Sequence, residues 1–188
     1  EARRWEAADT DAEAASSSST SSHPGDDTGP AAPTPVWNAD VITGVVVMAL
    51  TQFVMVGLMT MTPVHMRAHD HAVTVVGLVI SLHVAAMFLP APLSGLLVDK
   101  FGSRAVAVSA GLVLLASGVL AAVAPPESTL LVTVALILLG LGWSLGLVAG
   151  TTVLTTSVPL AVRATVQGQA DVAVALSGAA GGLLSGLV

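Results

Sequence analysis

Cysteine and charge are the two features this sequence lacks, and each absence excludes a class of protein. There is no cysteine, so neither a disulfide framework nor thiolate chemistry is available. Charged residues make up only 10% of the chain, against roughly 25% in soluble domains. No His-Glu-x-x-His helix or comparable cluster of ligands or nucleophiles lies in an apolar segment, so we predict a protein that is not an enzyme and needs no cofactor.

Apolar residues account for 54% of the chain and give it a mean hydropathy of +0.86. This composition predicts an all-α integral membrane protein with five transmembrane helices. The first apolar segment rises about 31 Å as a helix, enough for a hydrocarbon core of about 30 Å. The predicted spans are 41–61, 72–97, 105–124, 129–154 and 164–188. Pro63 is expected to end the first span, and Pro90 and Pro92 are expected to kink or break the second.

Residues 1–40 differ from the rest of the chain because they are acidic, serine-rich and proline-rich. They bury too little apolar surface to offset the entropy of ordering, so a disordered linker is predicted. Most of the net charge of −6 comes from this segment, so the charge gives no evidence for a nucleic-acid partner. A phosphorylation site among the serines is the alternative to a plain linker.

A charged turn at residues 95–104 separates two long apolar runs. Gly102 allows the chain to reverse where a side chain would clash. Gly95 removes a side chain one turn before Asp99, which lets a neighbouring helix approach closely. The Asp99 carboxylate can accept hydrogen bonds from a helix N-terminus or an arginine.

The distribution of cationic residues predicts the orientation in the membrane. Lys100, Arg104 and Arg163 lie in loops on one side, and Arg67 lies on the other. Cytoplasmic loops carry the excess of lysine and arginine. We therefore expect residues 1–40 and the loop 98–104 to be cytoplasmic in a multi-pass protein of the cell membrane.

The pattern Gly-x-x-x-Asp-Lys-x-Gly-x-Arg resembles the signature loop of the major facilitator superfamily of secondary transporters. The matching residues are Gly95, Asp99, Lys100, Gly102 and Arg104. Ser103 stands where the family usually has a base.

A second loop, with Pro159, Arg163 and Gly168, resembles the family's connection between its fourth and fifth, or tenth and eleventh, spans. The resemblance covers residues 41–188. It implies a helical bundle that transports by alternating access, with Asp99 as a conformational switch that binds a helix N-terminus or Arg163 in one access state. A fixed cytoplasmic cap is the alternative role for Asp99.

The family has two similar halves of six spans, joined by a polar cytoplasmic segment that residues 1–40 resemble. Stretches 62–66, 79–85 and 140–144 resemble the C-terminal half, so we interpret the spans as seven to eleven of a fragment whose partner is the missing N-terminal half. Spans one to five behind an N-terminal tail are the alternative.

Three polar residues lie inside predicted spans, where ionisable groups are costly and often functional: Gln52, His83 and Asp171. Helix rise places His83 and Asp171 at similar depths near the midplane. One hypothesis is that Asp171 carries a proton while His83 partners it or contacts substrate. The alternatives are that Asp171 pairs with Arg163 or Gln167, that His83 bonds a backbone carbonyl, and that Gln52 bonds a neighbouring helix.

Two glycine repeats are predicted to pack helices closely. They are Gly142, Gly146 and Gly150 in the fourth span, and Gly178, Gly182 and Gly186 in the fifth. A histidine cluster, His65, His69 and His71, is a weak candidate metal site with no standard spacing; plain solvation is favoured, and no metal site is predicted.

The function predicted from these observations is secondary active transport of a small solute, by proton-coupled efflux of a drug or metabolite. The alternative is an incomplete or inactive membrane fragment that acts only as a structural or assembly partner. The expected partners are the lipid bilayer, a small-molecule substrate and the other half of the transporter.

Overall fold

The computed structural model of the chain describes residues 36–69, 72–125 and 127–187, and all the regular structure in them is helical. The six helices are α1 (Ala39–Ala68), α2 (Val73–Phe88), α3 (Ala91–Phe101), α4 (Ser103–Val123), α5 (Thr129–Thr156) and α6 (Leu160–Ser185). Most of the predicted linker, residues 1–35, lies outside the described residues. The all-α fold is as predicted.

In the described part of the chain, four spans are long and apolar enough to cross a membrane: α1, α2 with α3 as one unit, α4 and α5. Helix α6 has 26 residues, about 39 Å of rise, but Gln167, Gln169 and Asp171 lower the hydropathy of its first half. It is therefore long enough to cross, although it is not among those four.

Helix α1 begins earlier and ends later than the sequence predicted. Ala39 and Asp40, assigned to the linker, form its first turn, because the Asn38 side chain caps the helix by accepting a hydrogen bond from the Val41 N–H at 2.9 Å. The expectation that Pro63 ends the span is wrong: Pro63 lies inside the helix. Proline removes only one backbone donor, and in an apolar setting the remaining backbone groups have no better partner than the helix itself.

The second span divides as its prolines predict. Helix α2 ends at Phe88, Leu89 and Pro90 form a turn, and α3 begins at Ala91. Pro90 and Pro92 have no N–H, so the carbonyls of Ala86 and Phe88 lose the donors that a continuous helix would supply. The break lies about halfway along the span, and there two backbone acceptors lack their usual helical donors.

Helix α5 is the centre of the bundle. It packs against α1, α2, α3 and α4, while α6 packs mainly on α1. In α5, 44% of the most apolar stretch is buried, against 17–22% in the other three spans. This helix can accept several neighbours because its glycines let their backbones come close.

Two close helix crossings use glycines outside the predicted repeats. A Cβ added at Gly140 would lie 2.6 Å from the His83 carbonyl oxygen on α2, and one added at Gly44 would lie 2.8 Å from the Gly150 carbonyl oxygen. Neither Gly44 nor Gly140 belongs to the predicted repeats. Their approach to backbone atoms of the facing helix makes both crossings intolerant of larger residues.

The predicted repeats divide between neighbours. In α5, Gly142 faces Leu114 of α4, whereas Gly146 and Gly150 face Thr51 and Met48 of α1. In α6, Gly178 and Gly182 face α1, and Gly186, at the end of the helix, has only its own helix within 4 Å. The α5 repeat therefore meets two different helices, and Gly186 is the member of the α6 repeat that meets no other helix among the described residues.

Candidate functional site

The turn between α3 and α4 depends on Gly102, whose φ of 84° falls in a region that other residues rarely adopt. Its N–H donates to the Val98 carbonyl at 2.9 Å and closes α3, and α4 begins at the next residue. Gly95 has nothing within 4 Å of a built Cβ among the described residues. In that part of the chain no helix approaches Gly95 closely, so the close approach stays a prediction.

The charges of this turn pair differently from the expectation. Arg104 forms an ion pair with Asp40 in the first turn of α1, at 2.5 Å between Nη2 and Oδ1. Asp99 is exposed and makes no ion pair with Arg163 within the described residues. The Nε of Arg163 is buried without an acceptor there. The turn is thus tied to the start of α1 rather than to the loop before α6.

The remaining members of the loop motifs are exposed. The Lys100 ammonium lies 5.3 Å from the centre of the Phe101 ring. Gly168, on α6, has nothing within 4 Å of a built Cβ in the part of the chain that the structure describes.

His83 is 1% exposed and lies where α2 crosses α5. Its Nδ1 is 2.7 Å from the Leu136 carbonyl oxygen, so this ring nitrogen donates and the ring joins the two helices. Its Nε2 is buried and has no partner among the described residues. This geometry matches the alternative in which His83 bonds a backbone carbonyl. The carbonyl belongs to the neighbouring helix α5.

Asp171 lies on the exposed face of α6 and accepts a hydrogen bond from Gln167 Nε2 at 3.0 Å. The structure does not bring it to His83, which packs against α5. The Asp171–Gln167 alternative matches this geometry. The Oε1 of Gln167 is itself buried without a donor among the described residues.

Gln52 bonds to one of two aromatic side chains that meet near the middle of the bundle. Its Oε1 accepts a hydrogen bond from the Trp143 indole N–H at 2.9 Å. The Trp143 ring meets Phe88 edge-to-face, with 6.0 Å between ring centres. We call Gln52, Phe88 and Trp143 the aromatic cluster; it unites α1, α2 and α5.

Sequence reasoning found Gln52 but missed its two partners. Trp143 is a tryptophan near the middle of a span, whereas tryptophan is enriched at membrane interfaces. Phe88 directly precedes the proline break. The mid-span position of Trp143 and the position of Phe88 at the break are the two sequence signals that could have identified the cluster.

The histidine candidates give no metal centre in the described part of the chain, where no group of metal-ligating residues is found. His69 Nδ1 is 2.9 Å from the His65 carbonyl oxygen, and the two rings lie 4.5 Å apart. His71 lies outside the described residues. One ring nitrogen of His69 is therefore engaged with its own helix.

A cavity of about 650 Å³ lies between α1, α4, α5 and α6. Its walls are almost entirely apolar, with Phe53, Met61, Val132 and Leu184 among them. His65 is the one predicted site residue on its lining, and the aromatic cluster lies elsewhere. The cavity has few groups to orient a polar solute.

The sequence profile of the Major Facilitator Superfamily matches residues 8–182. The chain is 55% identical over 148 residues to the uncharacterized MFS-type transporter YdeG of Bacillus subtilis (strain 168), and 54% identical over the same length to YddS of that organism, also named an uncharacterized MFS-type transporter. Each alignment covers 79% of this chain and 34% of the relative.

A more distant relative is the riboflavin transporter RfnT of Brucella anthropi, 36% identical over 131 residues, which cover 70% of this chain and 31% of RfnT. The chain thus spans about a third of the length of the curated relatives it matches. Among solved structures, none matches the chain. These relatives are transporters rather than enzymes, as expected of this chain. On its sequence match and its helical architecture, the chain belongs to the major facilitator superfamily.

Proposed function

We propose that the full-length protein containing this chain is a secondary transporter that moves a small solute by alternating access, in the direction of efflux. The observation that carries the proposal is the broken span α2–α3, in which Phe88 of the aromatic cluster directly precedes a break where two backbone carbonyls lack their usual helical donors. Substrate sites in secondary transporters are typically formed near the midplane by such discontinuous helices.

Asp171 is the proposed proton carrier. It lies about 16 Å along α6 from Leu160, and its carboxylate is on an exposed face rather than inside the bundle. A charged aspartate facing lipid costs about 2.5–3.5 kcal/mol. A water-filled cavity shared with the other half of the transporter removes that cost and gives the carboxyl access to protons. Gln167 holds the carboxylate in place.

The turn at Gly102 is the proposed conformational element. The Asp99 carboxylate is exposed and has no ion-pair partner within the described residues, so it is available to a helix end or a cation in another access state. Arg163, whose Nε lacks an acceptor there, is available in the same way. The Arg104–Asp40 pair keeps the turn attached to α1 in this state.

The proposal places the chain as spans seven to eleven, with the N-terminal half as its partner and the plasma membrane as its location. The turn at Gly102 then faces the cytoplasm, together with residues 1–40. The excess of lysine and arginine on that side supports this orientation.

Inside-out membrane vesicles containing the full-length protein test the coupling. With an acidic lumen, a transported solute from a chemical library is expected to release protons, which a pH-sensitive dye reports. Asp171→Asn should reduce this release at least tenfold, because an amide cannot carry the proton. Glu127→Gln is the matched control, since Glu127 is an exposed carboxylate in the turn between α4 and α5.

Proton release by Asp171→Asn equal to that of the unaltered protein would exclude Asp171 as the carrier. Solute movement without any proton release would remove the coupling while leaving transport intact. No movement of any solute would favour the structural or assembly role.

A further inference from the structure

The aromatic cluster has the chemistry of a binding site for one class of solute. We propose that Trp143, Phe88 and Gln52 bind a flat, uncharged heteroaromatic molecule that carries both hydrogen-bond donors and acceptors. This inference rests on the proposed transport function, because it names the substrate class of the same mid-membrane region.

The aromatic rings supply the flat contact surface. Phe88 is 61% exposed although it lies near the middle of its span, and it meets Trp143 at an interplanar angle of 70°. The hydrogen bond from the indole N–H to Gln52 fixes the rotation of the Trp143 ring. A ring held in this way presents its face to a flat molecule at little entropic cost.

The backbone at the break offers two acceptors next to Phe88. The carbonyls of Ala86 and Phe88 have no helical donors, because Pro90 and Pro92 lack an N–H. Backbone groups without partners are tolerated at membrane depth only where protein or a water-filled cavity surrounds them. The two carbonyls can therefore accept hydrogen bonds from a solute that reaches the break.

Gln52 supplies the complementary donors. Its Oε1 is committed to Trp143, and its Nε2 amide has no acceptor among the described residues. Gly178 makes room for this side chain, since a Cβ there would lie 3.2 Å from Gln52 Cγ and 3.4 Å from Nε2. The carboxamide can thus point donors at a solute carbonyl or ring nitrogen while its oxygen orients the indole.

The charge around the cluster favours a neutral solute. None of its three members is charged. His83 bonds the Leu136 carbonyl through Nδ1, and its Nε2 has no partner among the described residues. Asp171 lies seven residues before Gly178 in the sequence, about 10 Å along the helix. A charged ligand would lose its hydration here without gaining a partner of opposite sign.

Calorimetric titration of the purified full-length protein in detergent tests the proposal with two probes. Quinazoline-2,4-dione is flat and carries two N–H donors and two carbonyl acceptors. N-Cyclohexylurea carries three N–H donors and one carbonyl acceptor on a ring that is not flat. We expect saturable binding of the dione and at least tenfold weaker binding of the urea.

Substitutions in the cluster identify which groups act. Trp143→Ala and Gln52→Leu are each expected to weaken dione binding about tenfold, the first by removing the stacking surface and the second by removing the donors. Trp143→Phe keeps a flat ring and should bind within about threefold of the unaltered protein. Trp37→Phe, at an exposed tryptophan before α1, is the control. Monodisperse elution of each variant shows that it is folded.

Equal affinity for the two probes, unchanged dione binding in folded Trp143→Ala, or no saturable dione binding at all would overturn the proposal. The transport assay separates its failure from that of the proposed function. Binding of the dione without movement of any solute would refute the transport function but would still support the binding site. Movement of a non-aromatic solute that Trp143→Ala does not affect would refute the proposed substrate class. It would still support the transport function.

Discussion

The crossing of α2 and α5 at Gly140 gives the sharpest stability prediction. A Cβ at this position would lie 2.6 Å from the His83 carbonyl oxygen, 3.1 Å from the Met87 nitrogen and 3.0 Å from the Ala86 Cβ. Ordinary contact begins at 3.4 Å, so α2 must move away by about 0.8 Å along the tightest contact. Two of the three atoms belong to the backbone, which cannot change rotamer to relieve the contact as a flexible side chain can.

The cost of Gly140→Ala follows from this displacement. Overpacking costs about 1–3 kcal/mol, and moving α2 stretches the bond between His83 and Leu136, worth about 0.5–1.5 kcal/mol. Alanine recovers about 1 kcal/mol of helix propensity. We therefore expect Gly140→Ala to lower the free energy of unfolding by about 2 kcal/mol.

Reversible unfolding of the purified full-length protein in mixed detergent–SDS micelles measures this difference. Gly111→Ala is the matched control, because Gly111 lies in the middle of α4 with nothing within 4 Å of a built Cβ. It should leave stability unchanged or raise it by up to about 1 kcal/mol. If the two variants unfold within about 0.5 kcal/mol of each other, α2 and α5 do not cross as closely as the structure shows.

Two further predictions concern the turn between α3 and α4. Gly102→Ala is expected to destabilise the protein by about 1–3 kcal/mol, because alanine is strained at a φ of 84°; Gly95→Ala, in open space, should not, and equal effects in the same unfolding assay would contradict the backbone geometry. The Arg104–Asp40 pair, with side chains 77% and 47% exposed, should show a coupling of about 0.2–1 kcal/mol in a double-mutant cycle to alanine. That coupling should fall as salt rises, and a value that is large and independent of salt would mean that the pair is buried.

The helices were largely predictable because apolar length and proline act locally. Four of the five predicted spans are helices long and apolar enough to cross a membrane among the described residues, and the break after Phe88 follows from two residues that lack an N–H. The prediction that Pro63 ends the first span was wrong, because proline perturbs a helix without always ending it. In an apolar setting, the neighbouring backbone N–H and C=O groups have no better partners than those of the helix. Local rules therefore placed the segments better than their ends.

The candidate site was less predictable, because it depends on which helices become neighbours. Similar depth suggested that His83 and Asp171 meet, yet depth says nothing of rotation about the helix axis, and the two lie against different partners. Gln52 was found as an isolated polar residue, but its bond to Trp143 joins positions far apart in the sequence.

The sequence by itself determined that this protein is a bundle of membrane helices of the major facilitator superfamily, with a break at Pro90 and a reversal at Gly102. These features are set by hydrophobicity and by the backbone chemistry of single residues. Only the tertiary structure decided that α5 is central, that His83 bonds to α5 and that Gln52 orients Trp143. Such contacts depend on the relative rotation and crossing of whole helices, which packing across all of them fixes together.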